Sequence, residues 1–363
     1  MKDLVHQEIS DKINLANSDA EKRVKEIFSK YHNQVDIKMQ NEFPDEETKI
    51  NIMLKYFLGW TDPNGYQTNK PISGKALRPI LCILACKAAG GDVQKAIPAA
   101  IPLEFIHNFS LIHDDIQDKD KLRHNRPTIW ALWGNPKALI AGNNLRIIAD
   151  ITMNKLMKTG LPINKCLKLN YILTQACLEM IEGQFLDIKY EGEASLTKEL
   201  YLEMISKKTG ALIASAIKIG AGLATENHRK LHAFNEFGKY LGLVFQITDD
   251  ILGIWGKESK TGKPVGADII RKKNSLPIII TASKTTQINQ KKINAIYNNP
   301  TISESDLNEV LNIMDQTKTK EHCIELAEIY CTKALSSIRN IPIPNESRKD
   351  IESIALFLTK RQH

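Results

Sequence analysis

The chain has 363 residues, 42% of them hydrophobic and 25% charged, with a formal net charge of +7. That length and apolar content suffice to bury a large core, as one big helical unit or two smaller ones. The basic residues are scattered and no aromatics interleave with them, so the positive balance suits an anionic ligand better than nucleic acid.

Cys82, Cys86, Cys166, Cys177, Cys323 and Cys331 fall inside apolar helical segments without C-x-x-C spacing, the usage of a reducing, cytoplasmic compartment. The N-terminus carries charges throughout with no apolar signal-like run. No apolar stretch reaches bilayer length, so a soluble chain without stable membrane insertion is expected.

Residues 1 to about 60 carry a helical period through Val5, Ile9, Ile13 and Val24, Ile27, Phe28, broken near Pro44. The loop TDPNGYQTNKPISG then delivers the chain to Lys75 and Arg78, three apart and able to share one anion. A helix runs to Gly90-Gly91, and the next climbs from Asp92, where Pro98 and Pro102 should bend or split it. Two long helices are predicted over residues 137–158 and 162–190. From Leu196 another leads through Lys208, Thr209 and Gly210 into a run of small residues suited to close helix packing. Three or four amphipathic helices follow over the last ninety or so residues. Strand alternation is scarce and hairpin dipeptides between apolar runs are missing, so the fold class is all-α. A single bundle of long helices around a central cavity is expected, with N-terminal helices over 1–60, a motif-bearing core over 74–277 and C-terminal helices over 278–363.

Two stretches carry chemistry. In HNFSLIHDDIQDKDKLRHNRPT, Asp114 and Asp118 stand four apart on one helix face, and Asp115 adds a third carboxylate. Like charges one turn apart repel, and a bound cation turns that cost into a site; carboxylates, water and phosphate oxygens are the ligands Mg²⁺ prefers. Lys121, Arg123 and Arg126 follow within about two turns, suited to a ligand with several negative charges. An idle acidic helix end beside a basic loop reads equally well from this stretch alone. The second stretch, LGLVFQITDDILGIWG, places Asp249 and Asp250 after an apolar helical run, again with bases behind them. Two acid-then-base sites suggest a cavity lined from opposite walls. The tryptophans Trp130, Trp133 and Trp255 read as packing residues, and His113 as a structural hydrogen-bonding group.

These motifs, in this order from about Gly74 to Pro277, resemble those of the trans-isoprenyl diphosphate synthases, or polyprenyl synthetases, which build farnesyl, geranylgeranyl and longer diphosphates. The resemblance implies that Asp114, Asp115 and Asp118, with Asp249 and Asp250, serve Mg²⁺, three ions when substrate is bound. It implies that Arg123 acts at the allylic diphosphate, that Gln184 belongs to a substrate-binding Gly-Gln-x-x-Asp element, and that Lys263 and Lys273 close over the diphosphate. Lys75, Arg78 and His107 match the residues that hold isopentenyl diphosphate. His124 stands where a second arginine is usual, with Arg126 as a substitute, and Ala76 stands where an arginine is frequent. Lys208, Thr209 and Gln246 correspond to the groups that face the allylic cation. Phe109 and Ser110, the fifth and fourth residues before the acidic motif, match the chain-length positions, and an aromatic at the fifth implies a short product.

The motif at Asp249 ends in Gly253 where the family has a carboxylate, so Gly253→Asp is expected to ease the Mg²⁺ requirement or leave it unchanged. The resemblance further implies a homodimer acting on isopentenyl and allylic diphosphates. A terpene cyclase is the nearest enzymatic alternative, and a non-catalytic subunit of a heteromeric synthase is the alternative from another class. A carboxylate-bridged di-iron bundle lacks its Glu-x-x-His pairs here.

Overall fold

The computed structural model describes residues 2–68, 74, 76–191, 196–258 and 264–360, with the backbone alone for residues 2–18. Its helices are α1 (Lys2–Glu42), α2 (Lys49–Phe57), α3 (Leu77–Ala88), α4 (Val93–Gln117), α5 (Ile129–Trp133), α6 (Asn135–Asn154), α7 (Ile163–Tyr190) and α8 (Lys198–Ile205). They continue as α9 (Ala211–Ala224), α10 (His228–Trp255), α11 (Ala267–Ile270), α12 (Leu276–Lys284), α13 (Gln287–Asn298), α14 (Glu304–Gln316), α15 (Thr319–Ile338) and α16 (Asn345–Lys360). The fold is all-α, and none of these helices is long and apolar enough to cross a membrane.

Local chemistry starts many of the helices. Asp92 caps α4 by accepting from the Gln94 amide at 2.9 Å, Asn227 caps α10 from Lys230 at 3.0 Å, and Ser303 with Asp306 forms a reciprocal capping box on α14. Five helices rather than three or four follow Ser275, because Lys318 takes a left-handed φ of 50° and separates α14 from α15. No glycine or proline announces that break.

Of the two outcomes expected from the prolines of α4, a split does not occur: the helix is continuous through Pro98 and Pro102. A proline inside a helix costs about 3 kcal/mol. Against this, Ile101, Leu103, Phe105 and Ile106 are each 0% exposed, and burying such a side chain contributes about 1.5–3 kcal/mol. Burial therefore outweighs the lost hydrogen bonds.

The core sits around α4 and α9, which are buried over most of their lengths. Helix α4 packs on α6 and α3, α9 on α3 and α10, and α10 on α15. All six cysteines are free and buried.

One departure from the expected pattern is a two-stranded ladder, β1 (Leu122–Arg123) with β2 (Arg126–Pro127). His124 and Asn125 form its turn with φ of 50° and 60°, the left-handed pair that a two-residue hairpin requires. The signal was missed because basic rather than apolar residues flank the turn.

Between α8 and α9 the chain widens into a π-helical turn, Ser206–Gly210, which carries Lys208 and Thr209. Such turns inside helices often mark functional positions. This one is gripped from two sides. A Cβ on Gly183 of α7 would lie 2.6 Å from the Lys208 Cα, and one on Gly242 of α10 would lie 2.5 Å from the Gly210 Cα. Neither helix can come this close with a larger residue, so the two glycines set where Lys208 and Thr209 stand.

Gly183→Ala should therefore force the turn outward. Overpacking of this kind costs about 1–3 kcal/mol, so a melting curve should show Tm lowered by several degrees (~2–4 °C per kcal/mol). An unchanged Tm would mean that the turn yields freely.

Candidate active site

In each acidic cluster the first aspartate of the Asp-Asp pair opens outward and the second turns back into the protein. On α4, Asp114 is partly exposed and Asp118, the helix C-cap, is exposed, whereas Asp115 is 2% exposed. Asp115 Oδ1 accepts from Arg123 Nε at 2.9 Å and Nη2 at 2.8 Å, which fixes the guanidinium. On α10, Asp249 is exposed and Asp250 is 1% exposed. The Asp250 carboxylate accepts from the Tyr201 hydroxyl at 2.5 Å, the Leu276 amide at 2.9 Å and Gln246 Nε2 at 2.9 Å. Gln246 Oε1 in turn accepts from Thr209 Oγ1 at 2.7 Å.

Burial is the main force on Asp114 and Asp118. It raises the Asp114 carboxyl to about 6; Lys208 opposes the shift and Asp118 adds to it. Asp118 is raised for the same reason, with Lys208 again opposing. Lys208 pairs with Asp187 of α7, and Gln184 Nε2 donates to Gln117 Oε1 at 2.7 Å, so α7 is tied to the π turn at one point and to the end of α4 at another. Lys273 lies 3.8 Å from Asp250 and 3.7 Å from Asp268. Desolvation alone would lower its pKa, but Asp250, Asp268 and Asp249 together raise it, so it is a fixed cation.

Beside these walls lies a cavity of about 600 Å³ lined by Arg78, His107, Arg123, His124, Arg126, Asp249 and Lys273, among others. Burial lowers Arg78 to about 10, with Glu104 opposing. It also depresses His107 well below the ordinary imidazole range, helped by Arg78 and Arg123. His107 is thus neutral here and contributes hydrogen bonds rather than charge. Arg126 donates to the Thr61 carbonyl at 2.9 Å and stacks 4.1 Å above the Tyr56 ring. Among the described residues, Arg78 Nε and Glu104 Oε2 are buried and have no hydrogen-bond partner.

The structure therefore brings together Arg78, His107, Arg123, His124, Arg126, Asp249 and Lys273 around one cavity. Asp114, Asp118, Gln184, Lys208, Thr209 and Gln246 lie outside that lining, joined to it through Arg123 and Asp250. Lys75 and Lys263 lie outside the described residues. Phe109 is 6% exposed, its ring edge-on to His113 at 5.5 Å, and Ser110 Oγ donates to the His107 carbonyl at 2.8 Å.

Three residues escaped the sequence reading. Glu104 shares a helix face with His107, three residues on, which was the available signal. Tyr201 carried none. Asp268 lies in a glycine-broken basic loop, and a Cβ on Gly253 would come 2.5 Å from its Cγ. The space expected to want a carboxylate at 253 already holds one from α11. Gly253→Asp would press two carboxylates together, so the expectation of a harmless or favourable exchange does not fit this packing.

Among the described residues, no group of three or more His, Cys, Asp and Glu side chains is arranged to hold a metal ion unaided. The donors of the outward acids are nevertheless all hard oxygens, those of Asp114 and Asp118 raised in pKa by burial, and they suit a small divalent cation completed by ligand oxygens.

A sequence profile of the polyprenyl synthetase family matches residues 64–314. The chain is 33% identical over 314 residues to a (2E,6E)-farnesyl diphosphate synthase of Mycobacterium tuberculosis, covering 85% of this chain and 86% of that one. It is 34% identical over 290 residues to a geranylgeranyl diphosphate synthase of Saccharolobus solfataricus, covering 80% and 87%. The crystal structure of a polyprenyl synthetase from Streptomyces coelicolor superposes with a TM-score of 0.86 at 28% identity, over 92% of this chain and 99% of the other. The helical fold, the paired acidic walls and these likenesses agree: the chain belongs to the polyprenyl synthetase family. It is a prenyltransferase.

The raised Asp114 pKa has a sign that can be tested. A carboxyl whose folded pKa lies above its unfolded value of 3.8 favours folding below that value, and this is lost as pH rises through about 6. Asp114→Asn should thus raise the stability of the metal-free protein at pH 8 by about 3 kcal/mol and leave it nearly unchanged at pH 4. Denaturant titrations at both pH values would check this; an equal gain at both would detach the effect from ionisation.

Proposed function

We propose that this chain joins isopentenyl diphosphate head-to-tail to an allylic diphosphate and forms a short all-trans prenyl diphosphate, farnesyl or geranylgeranyl. The observation that carries the reading is a pair of adjacent anion-holding regions. One is built from the acidic walls with Lys208 and Lys273, the other from the basic cavity around Arg78, His107, Arg123 and Arg126. A terpene cyclase needs the first region alone. The intact Asp114, Asp115 and Asp118 weigh against a non-catalytic subunit, and the named relatives support the short product.

In this reading Asp114, Asp118 and Asp249 would hold Mg²⁺, which would supply Lewis-acid stabilisation to the leaving diphosphate. Asp115 and Asp250, both bonded inward, support Arg123 and Gln246 rather than touch metal. Lys208 and Lys273 stabilise the charge that grows on the leaving oxygens as the allylic C–O bond breaks. Thr209, Gln246 and the Lys208 carbonyl face the carbocation with oxygen dipoles. Arg78 Nε is a ready donor for isopentenyl diphosphate, with neutral His107 and Arg126 around it, and Arg123, held by Asp115, serves the allylic diphosphate. The isopentenyl double bond attacks the allylic carbon, a C–C bond forms, and the proton lost from the adjacent carbon passes to the released diphosphate. No protein base is required.

Incubation with Mg²⁺, labelled isopentenyl diphosphate and each allylic primer, followed by chromatography of the dephosphorylated products, tests the reaction. Asp114→Ala and Asp118→Ala should each lower kcat by about a hundredfold or more. Near wild-type turnover in either variant would remove the metal assignment.

Product length is set in this reading by Phe109, five residues and about 7.5 Å of helix below Asp114. Phe109→Ala should lengthen the product by at least one isoprene unit while initial condensation persists. An unchanged product spectrum would move the floor of the tunnel elsewhere.

A homodimer completes the proposal. Leu139, Ile140, Ile147 and Ile151 on α6 and Tyr171, Leu178, Ile181, Phe185 and Ile188 on α7 are each 46–68% exposed, and on α7 they recur at seven-residue spacing, as 171, 178, 185 and 181, 188. Apolar seams of this period pack on a second helix pair. Light scattering should give about twice the 40.9 kDa chain mass, and Phe185→Glu should shift it toward the monomer; a monomeric wild type would contradict the proposal.

A further inference from the structure

Gln246 has an amide with two unlike ends, and which end faces the reaction decides whether it presents a stabilising oxygen or a repelling N–H. Its Nε2 is committed to Asp250 Oδ1 at 2.9 Å, which leaves Oε1 for the Thr209 hydroxyl at 2.7 Å. Thr209 therefore spends its proton on Gln246 and keeps its lone pairs for other directions. That polarity holds only while the Asp250 carboxylate keeps its plane. Its far oxygen, Oδ2, is held by the Leu276 amide at 2.9 Å and the Tyr201 hydroxyl at 2.5 Å.

We propose that Tyr201, through Asp250, is a positioning residue for the prenyl transfer, fixing the direction of the Gln246 and Thr209 dipoles. Tyr201 is 1% exposed and is not among the residues that line the cavity, so it acts at a distance through its hydrogen bond. Tyr201 belongs to α8 and Thr209 to the π turn that continues it, while Gln246 and Asp250 share a face of α10 four residues apart. The chain Tyr201, Asp250, Gln246, Thr209 thus starts and ends on one continuous helical run and closes a ring. A ring of this kind has one arrangement in which every donor meets an acceptor. Removing the phenol opens it at Oδ2, which is then held by the Leu276 amide alone, while Oδ1 keeps Gln246 and the Lys273 ion pair. The inference rests on the proposed role of Gln246 and Thr209 toward the cation.

The test is a double-mutant cycle on kcat. Tyr201→Phe should lower kcat about tenfold with KM for both diphosphates within about twofold, as expected when only a transition-state interaction is lost. Gln246→Ala should lower kcat by a similar factor, and the double variant should fall no more than about twofold below Gln246→Ala, because the phenol acts only through the amide. 4-Aminophenylalanine at 201, which keeps a donor, should restore at least half of the wild-type kcat.

Should Tyr201→Phe fail to fold, 4-methylphenylalanine, which fills the hydroxyl's space without donating, takes its place in the cycle. Multiplicative losses, a change confined to KM, or full kcat in the variant would each overturn the proposal. So would failure of both donor-free variants to fold while the amino variant folds, since Tyr201 would then be a residue of stability alone. If Gln246→Ala itself leaves kcat unchanged, the role of the amide toward the cation is wrong, and Tyr201 loses its purpose with it. A loss in Gln246→Ala without one in Tyr201→Phe refutes only the positioning role.

Discussion

Holding several carboxylates at the edge of a low-dielectric interior is the constraint from which the rest of this structure follows. Like charges one helical turn apart cost roughly a few tenths of a kcal/mol on an exposed helix and more where water is excluded, so Asp114 and Asp118 share one helix end at a cost that nearby groups must offset. The chain compensates by dividing labour inside each Asp-Asp pair. Asp115 and Asp250 turn inward and are neutralised or bonded within the protein, by Arg123 in one wall and by Tyr201, Leu276 and Lys273 in the other. Their partners are thereby left as the charges that face outward. Arg123 is aimed by the very acid that would otherwise repel its neighbours.

The same division explains why the helices meet where they do. Lys208 is useful to Asp114 and Asp118 only if the π turn approaches α7 and α10 closely, and the two glycines at 183 and 242 permit that approach. Asp187 and Gln184 then anchor α7 to the turn and to α4. The acid walls, the turn and the basic cavity are one electrostatic arrangement distributed over five helices.

Much of this was legible beforehand, and the reason is periodicity. Apolar spacing marked nearly every long helix, and the residues of the two acidic clusters announced themselves by type and interval. What stayed hidden depends on contacts between distant segments. Nothing local to Gly253 says that the Asp268 carboxylate will occupy its side-chain space, or that Tyr201 will meet Asp250. The π turn is equally silent, because its residues are ordinary and its cause lies in glycines on other helices. The hairpin at His124 and Asn125 was missed for a different reason: its two-residue strands put arginines, not an apolar alternation, beside the turn. The continuity of α4 through two prolines was decided by burial, which no count of helix breakers contains.

The six buried cysteines have a consequence for how the molecule can be watched. Burial raises the thiols of Cys82, Cys86, Cys177, Cys323 and Cys331, so they stay protonated and shielded where an alkylating reagent needs an exposed thiolate. Modification of the native chain must then wait for a segment to open, and its rate becomes a clock for that opening. Cys323 is held back additionally by the charge of Asp250, so its labelling reports the loosening of the wall that carries the second acidic cluster, whereas Cys82, on α3 in the main core, reports the opening of the bundle's centre.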